Sequence, residues 1–251
     1  MILFDGLPAP IVVVVPAHNE ATHLPRCLRG VLTAALCVPN PVTTVVVLDS
    51  CDDGSDALAG QFGPDVHFVS VDAGNVGAAR AAGFEYARTV LATAVSDAWF
   101  ATTDADSVVD SDWLVRMTDA DLRADADMVL GVVHVPVWRH LSPAMARRYL
   151  RAYRAKGSPG GGHGHVHGAN MGFRASAYWS VGGFRALPSS EDVDLVERFA
   201  AAGLSVHRDR RLSVATSDRR DGRAPGGFAK YLRDLESSDR SDDPCPTGLS
   251  A

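Results

Sequence analysis

The chain has 251 residues, 46% of them hydrophobic, which is enough for one sizeable α/β domain with its own core. A formal net charge of -6 argues against a nucleic-acid-binding surface, which needs a basic face. No apolar run approaches the roughly 18 residues of a membrane span, and the scattered Cys27, Cys37, Cys51 and Cys245 form neither a disulfide framework nor a zinc ribbon.

The first residues lack the basic start and long apolar stretch of a signal peptide, so a cytoplasmic protein is expected. Ile11 to Val15 is an all-β-branched run and reads as a central buried strand. The polar loop Pro16-Ala17-His18-Asn19-Glu20 follows, and then Leu24, Cys27, Leu28, Val31 and Leu32 recur at helical spacing. A loop at the carboxyl end of a strand in an open sheet is a candidate ligand wall. It is also an ordinary helix start, with Asn19 as cap and Glu20 favouring the dipole.

Val42 to Leu48 is a second strand, and Asp49 sits where it hands over to a loop. That carboxylate can accept hydrogen bonds from a base or ribose, while Asp52, Asp53 and Ser55 read as turn and cap residues. Val66 to Val71 makes a third strand. Asn75-Val76-Gly77-Ala78-Ala79-Arg80 opens an Ala-rich helix to about Ala94, whose small residues allow close approach to the sheet and whose start, with Arg80, could face phosphate. The alternative gives Arg80 a surface acid as partner.

Asp97 to Ala101 is a short apolar strand that delivers Asp104-Ala105-Asp106 to the sheet rim. Two carboxylates one residue apart suit a hard divalent cation, Mg²⁺ or Mn²⁺, which usually bridges protein oxygens to substrate phosphates. The alternative leaves them as solvated loop acids, or one of them as a cap for the helix beginning near Asp110 to Asp112. A helix from about Asp110 through Leu122 and a fifth strand, Met128 to Val135, complete a strand-helix alternation that predicts a doubly wound, mainly parallel sheet.

Ser142 to Lys156 reads as a helix whose Arg147, Arg148, Arg151 and Arg154 form, most simply, a solvated basic face. Residues 157 to 168 are so rich in glycine that a mobile loop near the site is expected, with His163, His165 and His167 alternating on one side. Zinc at these histidines is disfavoured, because glycines separate them and no acid or cysteine is near. Ala169 to Arg174 reads as a strand leading to a short helix. Ser189-Ser190-Glu191-Asp192 starts another helix, so its acids lie in a first turn where the dipole favours ionised carboxylates. One of them can act as a general base toward a hydroxyl; the alternative is plain capping by Ser189 or Ser190. Leu204 to His207 and Arg211 to Val214 read as late strands, Arg219 to Arg223 as a basic loop, and the Ser/Asp/Pro-rich end from Glu236 as disordered.

Taken in order, Val14 to Glu20, Val47-Leu48-Asp49 with Asp53-Gly54-Ser55, Asn75 to Arg80, Thr103 to Asp106, Gly168-Ala169-Asn170, Val181 to Phe184 and Glu191 to Leu195 resemble the family 2 glycosyltransferases of the GT-A fold. The resemblance implies a single domain over residues 1–235. Its nucleotide-sugar-binding half covers about 10–108 and its acceptor half about 109–235, with a tail at 236–251. It also implies an inverting, non-processive enzyme that uses a UDP-, GDP- or dTDP-sugar, Mg²⁺ or Mn²⁺, and a hydroxyl acceptor.

By the same resemblance, Pro16 to Glu20 and Asp49 would hold the base and ribose, with Asn75 among the donor-binding residues. Arg80 would meet the nucleotide or its phosphates, with Asp104 and Ala105 at the ribose. Asp106, with Asp104, would hold the metal, and His207 is a candidate further ligand. Asp192, with Glu191 beside it, would be the base, and His167, Gly168 and Asn170 would line the acceptor pocket. The family's second aspartate after strand two is Ser50 here, and the Gln-x-x-Arg-Trp signature of processive synthases is absent. The competing readings are a sugar-phosphate nucleotidyltransferase, which would need a Gly/Arg-rich loop after the first strand, and an inactive nucleotide-binding homologue. A peripheral attachment to a membrane and a homodimer are left open.

Overall fold

The computed structural model describes residues 8–119, 126–139, 142–155 and 162–218. The sequence expectations for the glycines at 157–161, the basic loop at 219–223, the tail and residues 120–122 of the helix drawn to Leu122 lie outside these residues; that helix already ends at Met117.

Eight strands form one sheet: β1 (Ile11–Ala17), β2 (Val42–Asp49), β3 (Val66–Val71), β4 (Trp99–Thr102), β5 (Val108–Val109), β6 (Met128–His134), β7 (Met171–Arg174) and β8 (Val206–Ala215). Their order across the sheet is β3-β2-β1-β4-β7-β6-β8-β5. β1 to β4 run parallel, β7 is antiparallel to both β4 and β6, β8 is parallel to β6, and β5 is antiparallel to β8. β5 has only two residues, too short to show an alternating pattern, and it escapes a sequence reading. The two late strands expected at 204–214 are one strand, β8, whose pairing with β6 is irregular between Leu130 and Val132.

The helices are α1 (Leu24–Ala35), α2 (Val76–Leu91), α3 (Trp113–Met117), α4 (Pro143–Ala155), α5 (Ala175–Ser180) and α6 (Glu191–Ala201). β1 is buried along its whole length because both sheet faces are covered. Ile11, Val13 and Val15 pack in the layer that includes α1 and α3, whereas Val12 and Val14 pack with Phe84, Phe173 and Phe199 from the opposite layer. The period of two along one strand thus feeds two cores. α2 lies very close to the sheet: a Cβ on Gly83 would fall 2.6 Å from Val14 Cγ1 and 2.9 Å from Val47 Cγ2.

β1 is flanked by β2 on one side and β4 on the other, so the chain changes winding direction there. The carboxyl ends of β1, β2, β4, β6 and β8, with the start of β7, share one edge. Open α/β sheets bind ligands at such a switch point.

Candidate active site

At that edge the loops after β1 and β2 are laced together. Asn19 and Asp52 exchange hydrogen bonds, Asn19 Nδ2 donating at 2.7 Å and Asp52 N donating back at 2.8 Å. Ala21 N donates to Asp53 Oδ2 at 2.8 Å, and Glu20 N to Ser55 Oγ at 3.2 Å. The side chain of Asn19 is spent on this contact, so it does not cap α1; the residue at that cap is His23, without a side-chain bond. Glu20 is buried and reaches the His23 ring at 3.0 Å, while the exposed His18 contacts Asp49 O at 2.6 Å. Pro16 and Ala17 are buried in β1.

Asp49 closes the loop after β3. Its Oδ1 accepts from Ala73 N and Gly74 N and its Oδ2 from Asn75 N, each at 2.8 Å. Burial raises its proton affinity, but the backbone donors of Gly74, Ala73 and Asn75 win and hold the carboxyl below its ordinary range. Asn75 in turn caps α2, its Oδ1 accepting from Ala78 N at 2.9 Å while Nδ2 donates to Leu187 O at 2.7 Å. Both residues therefore fix the loop between β3 and α2 through protein contacts. The sequence offers Asp49 to a base or ribose and Asn75 to the donor.

Arg80 stands at the centre, only 2% exposed. Its Nη2 donates to Asp104 Oδ1 at 2.6 Å, its Nη1 donates to Glu191 Oε1, and its Cζ lies 5.5 Å from the centre of the Phe184 ring. Burial opposes the charge on the guanidinium, yet Asp104 and Glu191 more than compensate and keep it protonated. One cation of α2 therefore ties the end of β4 to the start of α6, with Glu191 lying 111 residues beyond Arg80 in the chain. The alternative of a surface partner for Arg80 fails, because Glu191 is itself buried.

Asp104 and Asp106 are half-buried, with Ala105 buried between them. Beneath them on α1 lies Cys27, whose thiol donates to Asp104 O at 3.4 Å. Its proton is held more tightly than usual, first by burial and then by the negative charges of Asp106, Asp104 and Glu20. That response registers a concentration of negative charge at the rim of β4. Ser107 Oγ meets Thr216 Oγ1 at 3.0 Å and so joins this rim to the end of β8. Two exposed-edge carboxylates fit a hard divalent cation. Among the described residues no group of three or more His, Cys, Asp or Glu side chains is placed to hold a metal. His207 is not a third ligand: it is exposed at the start of β8, and because β8 runs parallel to β6, that start lies at the sheet edge opposite the aspartates.

Asp192 begins the other half of the cleft. Its Oδ2 accepts from Gly168 N at 2.9 Å and its Oδ1 from Val193 N at 2.8 Å. Burial, then the neighbouring Glu191 charge, push its carboxyl above the ordinary range, with Arg80 opposing. Ser190 precedes the helix at φ 61 without a side-chain cap bond, so simple capping does not account for these acids. A Cβ on Gly168 would fall 2.5 Å from Arg80 Nη2, so only glycine lets the loop bring its N–H to Asp192 beside the guanidinium.

The histidines do alternate along one side, but as a stacked ladder. His163 and His165 lie 5.7 Å apart, as do His165 and His167, and the Tyr153 ring stacks on His165 at 3.6 Å. His163 Nε2 lies 3.1 Å from Leu130 O, His165 Nε2 lies 2.9 Å from Tyr153 O, and His167 Nε2 lies 3.0 Å from Tyr153 Oη. Asn170, expected on the acceptor wall, is wholly buried instead. Its Oδ1 accepts from Trp113 Nε1 at 2.9 Å, and its Nδ2 donates to Val132 O at 2.8 Å and Leu212 O at 3.0 Å. Both amide hydrogens are spent on core carbonyls and the residue is 0% exposed, so it does not line a solvent-facing acceptor wall.

Residues 12–182 match the sequence signature described as Glycosyl transferase family 2. The chain belongs to glycosyl transferase family 2. Among solved structures it is similar to the 1–349 fragment of S. aureus TarS in complex with UDP-GlcNAc, with a TM-score of 0.60 and 12% identity over 94% of this chain and 68% of that one. It is also similar to the mannosyltransferase PcManGT from Pyrobaculum calidifontis in complex with GDP-Man and Mn²⁺, with a TM-score of 0.58 and 18% identity over 94% and 65% of the two chains. A third is mannosyl-3-phosphoglycerate synthase from Rubrobacter xylanophilus, with a TM-score of 0.57 and 14% identity over 96% and 79%. The chain thus spans about two thirds of the first two. No curated protein matches it by sequence. The fold is the GT-A type of these glycosyltransferases.

Within this family 2 domain the matched segment contains both aspartates, Arg80 and the histidine ladder, while Glu191 and Asp192 lie beyond its end at residue 182. The Arg80 bond bridges that gap. The Tyr153 contacts with the ladder had no sequence signal, since nothing in a helix pattern says which loop will cross it.

Proposed function

We propose that this domain transfers a sugar from a nucleoside-diphosphate sugar to a hydroxyl acceptor, with inversion, in a single non-processive step. The observation that carries the reading is the Arg80 fork: it holds the aspartate of the donor rim and the acidic start of α6 in one cluster at the switch point of the sheet. The similar structures hold UDP-GlcNAc or GDP-Man, which supports a pyrimidine or guanine nucleoside diphosphate as leaving group. The PcManGT structure also holds Mn²⁺, which supports a divalent cation here.

Asp104 and Asp106 would hold Mg²⁺ or Mn²⁺, which supplies charge neutralisation on the departing diphosphate. Asp192 is the base. Its raised proton affinity suits a group that must take a proton from a hydroxyl, and the Gly168 N–H fixes the carboxylate. Glu191 is excluded from that role by its buried bond to Arg80 and serves as a positioning residue. The acceptor oxygen attacks the anomeric carbon from the face opposite the diphosphate, its proton passes to Asp192, and the bond to the diphosphate breaks.

The test is Asp192→Asn. Turnover of donor with acceptor, or its slow hydrolysis by water, should fall by roughly two to four orders of magnitude while nucleotide binding persists. Unchanged turnover would overturn the assignment of the base.

A further inference from the structure

We infer that the outer face of α4 docks on an anionic phospholipid surface, which presents the acceptor. Arg147, Arg151 and Arg154 are all exposed and recur at i, i+4 and i+7, so they share one stripe about 10 Å long. No acid occurs anywhere between Ser142 and Lys156. The exposed Arg88 of α2 pairs with Glu85 in its own helix, and the half-exposed Arg116 of α3 pairs with Asp112 just before that helix. Nothing of the kind accompanies the α4 stripe among the described residues. A chain of net charge -6 would be repelled by a negative surface, so attachment needs a local basic face.

Two features favour a lipid over a soluble polyanion. The turn before α4 abuts it, since the Trp138 ring packs against Tyr149 at 5.3 Å, and this turn leaves Val137 57% exposed. An exposed aliphatic in the turn that leads into a basic helix suits the headgroup boundary, where apolar contact and charge act together. The inner face of α4 leads to the site. Tyr153 Oη meets His167 Nε2 at 3.0 Å, and the next residue, Gly168, donates to Asp192. A surface seated on α4 therefore lies on the acceptor side of the cleft.

The identification of that side rests on the transferase reading, but the docking itself does not, and its test needs no sugar. Flotation of the whole chain with vesicles of phosphatidylcholine, alone and mixed with phosphatidylglycerol, measures the partition directly. The expected result is salt-sensitive binding to the anionic vesicles. Each arginine removed should weaken it about fivefold, and the triple variant R147Q/R151Q/R154Q about a hundredfold, with an unchanged urea midpoint. Equal partition into neutral and anionic vesicles, or undiminished binding of the triple variant, would overturn the proposal. Tighter binding to inorganic polyphosphate than to vesicles of matched phosphate content would overturn it too, in favour of a soluble polyanion. The triple variant should keep its response to nucleotides, so failure here leaves the transferase reading intact.

Discussion

Replacing Arg80 by methionine removes the cation while keeping side-chain volume, and leaves the Glu191 carboxylate buried without its partner. The side chains of Arg80 and Glu191 are 3% and 9% exposed, so solvent can do little to compensate. Breaking a buried pair from one side costs about 3–5 kcal/mol. Asp104 is 38% exposed and water can replace the lost bond, so its arm adds less than about 1 kcal/mol. In a domain of this size each kcal/mol moves the thermal midpoint by about 2–4 °C, which gives a fall of roughly 6–20 °C. Urea unfolding at neutral pH measures the cost, with a constant m-value as the check that only stability has changed. Glu191→Gln in the same background removes the stranded charge and should recover about half of the loss. A single-variant cost below about 1 kcal/mol, or an identical loss in the double variant, would refute the view of Arg80 as a buried clasp.

Other expectations follow from neighbouring contacts. Asn170→Ala strands the Trp113 indole N–H and two carbonyls, and should cost about 2–4 kcal/mol in urea unfolding while leaving nucleotide binding intact. Gly83→Ala forces a methyl into Val14 and Val47 and should cost about 1–3 kcal/mol by the same assay. The carboxyl of Asp49 is held below its ordinary range, so its stabilisation is complete above that range and fades as pH falls through the lowered value. Asp49→Asn should therefore lower the melting temperature at neutral pH and converge on wild type in acid. Asp192 is shifted the opposite way: its folded state binds the proton more tightly, so stability declines as pH rises from the ordinary carboxylate range through the raised value. Asp192→Asn should melt higher than wild type above that window and match it below.

Much of the fold was legible because its signals are local. The β-branched runs of β1 and β2 mark a sheet covered on both faces, and the strand-to-loop handovers at Asp49 and Asp104 follow from where those runs stop. The start of α6 at Glu191 was legible for the same reason. What was not legible depends on chain crossings. The family resemblance gave Asn170 to the acceptor, yet the amide turns inward to Trp113, Val132 and Leu212, partners from three distant segments. The resemblance offered His207 as a further metal ligand, but the direction of β8 puts it at the wrong edge, a fact that only pairing with β6 decides. Arg80 read equally well as a phosphate contact or a surface ion pair, and the structure gives a third arrangement, a buried fork between two acids.

The central claim is that the rim formed by Asp104 and Asp106 binds a nucleoside diphosphate together with a divalent cation. It is tested most directly by thermal stabilisation with UDP, GDP, ADP and dTDP, each with and without Mn²⁺. A ligand that binds only the folded chain raises apparent stability, by about 2.7 kcal/mol at a hundredfold excess over its dissociation constant. The account predicts a Mn²⁺-dependent rise with one of these nucleotides, which Asp106→Ala abolishes. No rise with any of them from a folded sample, or a rise that Asp106→Ala leaves untouched, would contradict it.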